Sequence, residues 1–296
     1  MTNMHKSAIS QGNIYIGLPM WQHSHWPSTW FANSPKPDNA LSLYAKECNT
    51  VEGNTTFYSL PHQDAVTRWC ESVPDNFRFT FKFHQNISHV HQLQHCEDEV
   101  AQQLSLLQPM REKLGVMMLQ LPASFGPDKL PLLEQFIAAL PSDLNIAVEV
   151  RHLAFFAKGE EEKALNQVLM RHNCNRIIMD TRALFTGPCS SDILSEVRGK
   201  KPRVPVNVIA TGKTPIVRFV GNDEDADNEA CLRPWVNKVQ QWQREGKDVY
   251  FFCHRPDNKD APWLAQQFID LYNATNPAVK MPDLAIKAQP EQDSLF

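Results

Sequence analysis

The sequence has no Cys-x-x-Cys pair, no glycine-rich phosphate loop and no apolar run long enough to span a bilayer. Its seven cysteines, an odd number, stand singly. That spacing supports neither a disulfide framework nor a zinc ribbon, and reduced, mostly buried thiols are expected. No G-x-G-x-x-G follows the first apolar strand, which leaves a dinucleotide-binding fold without support. The net charge of -4 argues against a surface that is basic all over, as a general nucleic-acid binder would need, while allowing a local basic cleft. Residues 1–11 lack the apolar core of a signal peptide, so a cytoplasmic protein without membrane attachment is the expectation.

What is present is a patterned α/β chain. At 296 residues with 42% hydrophobic composition, it has material for one large core. Apolar strand-like runs fall at 14–18, 50–54, 77–83, 114–121, 146–150, 176–180, 215–220 and 248–253. Helical periodicity falls between most of them, at 41–48, 63–72, 96–110, 130–140, 160–172, 228–245 and 262–273. Residues 181–214 read as one long irregular connection, a length usually associated with function or disorder. Trp21, Trp26, Trp30 and Phe31 crowd the loop after the first strand, as a lid or as packing for the barrel end. Eight strands alternating with helices predict a single (β/α)8 TIM-type barrel over residues 12–276. A short flexible C-terminal tail over 277–296 is expected to follow, because periodicity stops there.

Polar side chains recur near the C-terminal ends of these apolar strands, where barrel enzymes place their chemistry. In T-V-E-G-N at 50–54, Glu52 and Asn54 alternate, so they are expected to share a face. Thr80, Lys82 and His84 follow, then Gln120, Glu149 with Arg151, Asp180 with Arg182, Arg218 and His254. Convergence of this set in one pocket is the expectation. Glu52, Glu149 and Asp180 are candidate acid–base groups, and Lys82 is a fourth candidate catalytic residue. Lys82 would be an imine-forming amine only with a depressed pKa, and carboxylates nearby are expected to raise it instead. Asn54, His84, Arg151, Arg182, Arg218 and His254 are candidate substrate-binding residues. Four cations, Lys82, Arg151, Arg182 and Arg218, against three carboxylates favour an anionic ligand, phosphate or carboxylate. The bland alternative is a structural ion-pair network of Glu52 with Lys82, Glu149 with Arg151, and Asp180 with Arg218. Glu52, His84, Glu149, Asp180 and His254 are of metal-ligating type, but the four cations oppose a divalent metal, and no metal or cofactor is assigned.

The run E-G-N-T-T-F-Y-S-L-P from Glu52 resembles a motif of the YecE-like family, also known as domain of unknown function 72. F-K-F-H-Q-N-I-S-H from Phe81, L-Q-L-P from Leu119 and A-V-E-V-R-H from Ala147 are similar to further family motifs. So are M-D-T-R from Met179, V-R-F-V-G from Val217 and Y-F-F-C-H from Tyr250. The resemblance implies a TIM-type barrel and supplies no reaction. It carries over to Glu52, Asn54, Tyr58, Lys82, His89, Glu149, Arg151, Asp180 and Arg218, which adds Tyr58 to the substrate-binding candidates. Val220 stands where the family often has histidine, and Cys253 lies where an asparagine is common. Those departures weaken the expectation of a ligand contact from the last two strands.

The chain stops at Q-D-S-L-F, which resembles the peptide by which bacterial replication proteins dock on the sliding clamp. Gln292, Ser294, Leu295 and Phe296 match, whereas Asp293 departs from the usual leucine. The alternative is an apolar end folded back onto the barrel. Together these features suggest a hydrolase or lyase acting by acid–base chemistry on a phosphate-bearing substrate, linked to DNA metabolism. The partner would then be an anionic small molecule or a nucleic-acid end. The other reading is a non-catalytic anion-binding module recruited to a partner by its tail.

Overall fold

The third strand shows how sequence sets the architecture. In F-R-F-T-F-K-F, Phe77, Phe79, Phe81 and Phe83 share one face, and all four are fully buried in the layer between strands and helices. Each such burial contributes roughly 1.5–3 kcal/mol. A one-residue slip would exchange these rings for Thr80 and Lys82, so the register is firmly held.

In the computed structural model, which describes residues 10–26, 30, 39–189, 191–277 and 279–286, nine parallel strand segments form one sheet. They are β1 (Ile14–Leu18), β2 (Thr50–Gly53), β3 (Arg78–Lys82), β4 (Leu114–Gln120), β5 (Ile146–Glu149), β6 (Asn175–Arg176), β7 (Ile178–Asp180), β8 (Ile216–Val220) and β9 (Val249–His254). Their order is β6-β5-β4-β3-β2-β1-β9-β8-β7. The two edge segments are halves of one bent strand, separated only by Ile177. The first half pairs with β5 and the second with β8, while the Ile177 N–H donates to the Val148 carbonyl at 2.8 Å. The sheet is thus a nearly closed parallel barrel, and the eight expected strands are its nine segments.

Helices α1 (Ala40–Glu47), α2 (Thr55–Tyr58), α3 (Gln63–Glu71), α4 (Glu97–Leu107), α5 (Leu130–Ala139), α6 (Glu160–Arg171), α7 (Asp192–Lys200), α8 (Asp225–Arg244) and α9 (Ala261–Thr275) surround it. The helix α7 and the single turn α2 are additions to the elements legible in the sequence. Ser191 starts α7 by accepting the Leu194 N–H at 3.1 Å, a side-chain N-cap that supports a helix inside the connection read as irregular. Among the described residues no helix is long and apolar enough to cross a membrane.

The barrel interior has an apolar plug. Tyr15 and Tyr250 stack at 4.5 Å between ring centroids, with Met118, Ala147, Ile216 and Phe252 in the same cluster. Strand period two then sets the next inward side chain on each strand. Gln120 follows Met118, Glu149 follows Ala147, Arg218 follows Ile216, and His254 follows Phe252. A polar layer therefore lies on the plug, toward the C-terminal ends of the strands.

The described aromatic residues after β1, Trp21, Trp26 and Trp30, serve packing. Trp26 and Trp30 are buried edge to face at 5.6 Å against Tyr44, and Trp21 meets Trp69 at 5.2 Å. Phe31 lies outside the described residues. After α9 the chain runs back along the barrel. Asn273 holds Met281, the Gln266 side chain accepts the Leu284 N–H at 2.7 Å, and Leu284 is buried. The extension expected after Asn276 is therefore anchored through Ile286. Gln292, Ser294, Leu295 and Phe296 lie outside the described residues.

Candidate functional site

Arg218 is the centre of the polar layer. From β8 its Nε and Nη2 donate to Glu52 Oε2 and Oε1 at 2.8 and 2.9 Å, a two-point clamp across the barrel. Its Nη1 donates to Glu149 Oε2 at 2.6 Å. The other Glu149 oxygen accepts from Arg151 Nε and Nη2 at 3.0 and 2.9 Å. His254 Nε2 lies 3.1 Å from Glu52 Oε2. Every oxygen of the two carboxylates thus accepts from a guanidinium.

Burial shapes the electrostatics of this layer. On its own it would raise both carboxyl pKa values, but Arg218 overrides it, helped by His254 at Glu52 and by Lys82 and Arg151 at Glu149. Glu52 is held well below the carboxylate range, and Glu149 at about 2. The Arg218 guanidinium is pushed up, because both carboxylates outweigh its own burial. Burial keeps His254 neutral, lowering it to about 4 against the pull of Glu52. Permanently ionised, fully engaged carboxylates hold cations well and exchange protons poorly. In this arrangement Glu52 and Glu149 are placed to hold Arg218 and Arg151.

Lys82 behaves differently from the sequence expectation. Its Nζ donates to Gln120 Oε1 at 2.8 Å and lies 5.7 Å from the centre of the Phe57 ring. No carboxylate comes within ion-pairing distance of it among the described residues. Burial first, then Arg218, lower its pKa to about 8 against the weaker pull of Glu149 and Glu52. The carboxylates expected to raise it are already spent on arginine.

Lys201, a residue that sequence reasoning missed, joins the layer from the C-terminal end of α7. Burial and Arg218 lower it to about 8 as well, opposed by Glu149 and Glu52. No periodicity marks it, and only the basic run G-K-K-P-R at 199–203 signals charge there. His89 stands nearby, with its Nδ1 2.9 Å from Ser88 Oγ and its ring edge to face with Phe57 at 5.1 Å. Burial and Arg151 lower its pKa.

The remaining candidates fall outside this layer. Asp180 pairs along β8 with Phe219, a residue of the outer core, so its carboxylate faces the helices. It accepts from the Trp235 indole at 2.7 Å and from Arg182 at 2.7 Å, and both are thereby withdrawn from the interior. The expected pair of Asp180 with Arg218 does not form. Asn54 leaves strand geometry at the start of α2 and spends its amide N–H groups on the Pro19 and Glu52 carbonyls, so it does not share the face of Glu52. His84 binds the Tyr58 carbonyl and the Asn86 N–H, shaping the loop after β3, and Tyr58 is 68% exposed. Among the described residues no group of three or more His, Cys, Asp or Glu is arranged to hold a metal ion.

The corrected charge count is four cations, Lys82, Arg151, Lys201 and Arg218, around two carboxylates. Comparisons with known proteins agree with the barrel and extend to the family. The family model described as "Protein of unknown function DUF72" matches residues 15–291. The chain is 41% identical over 283 residues to "UPF0759 protein YecE" of Escherichia coli K12, covering 96% of this chain and all of that one. The protein of the same name from Escherichia coli O157:H7 is 40% identical over the same length. Among solved structures, a DUF72 family protein of Enterococcus faecalis V583 superposes with a TM-score of 0.68 at 21% identity, over 93% of this chain and 99% of that one. One from Thermotoga maritima MSB8 gives 0.67 at 21% identity, over 88% and 98%. The shared barrel, the near-complete coverage and the sequence identity lead to one conclusion: the chain belongs to the DUF72 family.

Proposed function

We propose that the barrel mouth binds a small anionic substrate, bearing phosphate or carboxylate, and acts on it by acid–base chemistry. The observation that carries this reading is the surplus of positive charge in the polar layer. Arg218 is neutralised by Glu52 and Glu149, whereas Arg151 spends only one edge on Glu149 and keeps Nη1 without a partner among the described residues. The Lys201 ammonium has neither an ion pair nor a hydrogen bond among them, its backbone N–H alone being engaged, with the Val197 carbonyl. Arg151, with its side chain 31% exposed, leads from the buried layer to solvent. An anion seated against Arg151 and Lys201 would meet a guanidinium edge and an ammonium, the donors suited to phosphate or carboxylate.

Proton exchange at neutral pH falls to groups whose pKa lies near it. Lys82 and Lys201, at about 8, meet that requirement, and Glu149 at about 2 does not. A hydrolase or lyase of this kind would use the amines as acid and base and the carboxylates as scaffold. Cations gathered at one barrel end, rather than along a stripe, favour a compact anion over an extended strand of nucleic acid.

The test is a thermal-shift titration with inorganic phosphate and sulfate. Anion binding to the folded state alone raises the melting temperature by linkage, with about 2.7 kcal/mol of stabilisation at a hundred times Kd. Arg151→Gln and Lys201→Gln should each reduce that rise by half or more. An unchanged melting temperature at millimolar phosphate and sulfate would overturn the reading.

A further inference from the structure

Lys82 occupies an unusual position for an ammonium. It is 6% exposed at the end of β3, inside the barrel and deeper than Arg151. A buried ammonium is costly unless a counter-charge reaches it. Its two neighbouring carboxylates are occupied at all four oxygens by Arg218 and Arg151. What reaches Nζ instead is the neutral amide oxygen of Gln120, which accepts a hydrogen bond but brings no counter-charge. The Phe57 ring covers another side. With no counter-ion in reach and the Arg218 guanidinium nearby, burial favours the neutral amine, and a neutral amine is a nucleophile.

We propose that Lys82 forms an imine with an aldehyde or ketone that carries a carboxylate or phosphate group. This inference rests on the anion reading above. The anionic group would sit at Arg151 and Lys201, toward the rim, and the carbonyl would reach down to Lys82. The Nζ lone pair attacks the carbonyl carbon, and the carbon–oxygen π pair moves onto oxygen. A proton passes from nitrogen to that oxygen to give a carbinolamine. Protonation of its hydroxyl group expels water as the carbon–nitrogen double bond forms. One water is released for each imine, hydrolysis reverses the step, and no oxidant or reductant is consumed. Lys201 lies close enough to lower the Lys82 pKa and supplies an ammonium as the proton donor to the departing hydroxyl.

The charged and titratable groups facing Lys82 are Arg218, Lys201, Glu149, Glu52 and His89. With a pKa of about 8, roughly a tenth of Lys82 is neutral at pH 7, against a few parts in ten thousand for an ordinary lysine near 10.4.

The experiment treats the full-length native protein with glyoxylate and sodium cyanoborohydride at pH 7, followed by intact mass and peptide mapping. Reduction of the imine leaves one carboxymethyl group on the reacting lysine. Lys82 should be labelled first and at least tenfold faster than any exposed lysine, with its rate levelling off above pH 8. Phosphate should slow it, and Lys82→Met, which leaves no charge in the buried position, should remove that adduct while keeping the far-ultraviolet circular dichroism of the wild type. Labelling spread over exposed lysines, with Lys82 not ahead, would overturn the inference even where phosphate still raises the melting temperature and the anion reading stands. Rapid labelling of Lys82 that phosphate neither slows nor accompanies with stabilisation would support the nucleophile and count against the anion site. The mapping is done on the unmodified chain, so the result does not depend on a variant folding.

Discussion

Replacing Arg218 with methionine removes the guanidinium that holds Glu52 and Glu149 while keeping a side chain of similar length. In the wild type both carboxyl pKa values are depressed, so the stability they contribute is fully present above the unfolded value of about 4.5 and is lost as pH falls through the folded value. For Glu149 the distance from 4.5 to about 2 corresponds to roughly 3 kcal/mol at neutral pH, and Glu52 adds in the same direction. Without Arg218, Glu52 keeps His254 as a partner and Glu149 keeps Arg151. Burial then dominates at Glu52 and pushes its pKa above 4.5. The sign reverses: stability becomes greatest at low pH and falls as pH rises through the raised value. Breaking a buried ion pair typically costs about 3–5 kcal/mol. At roughly 2–4 °C per kcal/mol, the melting temperature at pH 7 should drop on the order of 10 °C. Melting curves of wild type and Arg218→Met from pH 3 to 8 provide the assay. The difference should shrink toward acid and widen toward neutrality. Two parallel curves, or melting temperatures within about 2 °C at pH 7, would refute the account of the polar layer.

Two further outcomes follow from the placement of single residues. In Gly53→Ala the new Cβ would lie 2.3 Å from the Phe81 ring and 2.8 Å from the Thr80 carbonyl, so overpacking of about 1–3 kcal/mol should appear as a lower melting temperature with unchanged far-ultraviolet circular dichroism. A wild-type melting temperature would reveal slack in the outer core. Asp180→Asn should cost about 1.5–3 kcal/mol by weakening the charge-assisted bonds from Trp235 and Arg182, while leaving the stabilisation by phosphate intact. Loss of the phosphate response at an unchanged melting temperature would restore Asp180 to the site.

Strand positions were legible because strand parity is set by burial, and burial is written in the alternation of phenylalanine with polar residues around Lys82. The same rule explains why Glu52, Glu149, Arg218 and His254 could be placed together from sequence. Asp180 was misplaced because the strand bends at Ile177, and its register along β8 puts it opposite Phe219 on the helix side. Asn54 was misplaced because strand geometry ends at Gly53. Lys201 was invisible for a different reason. It reaches the layer from the end of α7, whose glycine and neighbouring proline obscure the helical pattern, so no period ties it to the barrel. Partner choice was harder to read than location. Residue type suggested that Lys82 would join a carboxylate, but arginine, with its planar fork, outcompetes an amine for both oxygens.

The ion cluster also ties barrel closure to chain order. Arg218 meets Glu52 across 166 residues and Glu149 across 69, and His254 meets Glu52 across 202. None of these partners can find another through local chain structure, so the cluster assembles only after distant strands have come into register. An intermediate with the later strands undocked leaves Glu52 without its arginine, and the carboxylate is then far more stable hydrated than enclosed. Water is thus favoured inside a half-built barrel and displaced from the clamp once Arg218 arrives. The polar layer makes the closed ring cooperative: a barrel missing its last strands gains little from collapsing around Glu52, and the same charges reward completion of the circle.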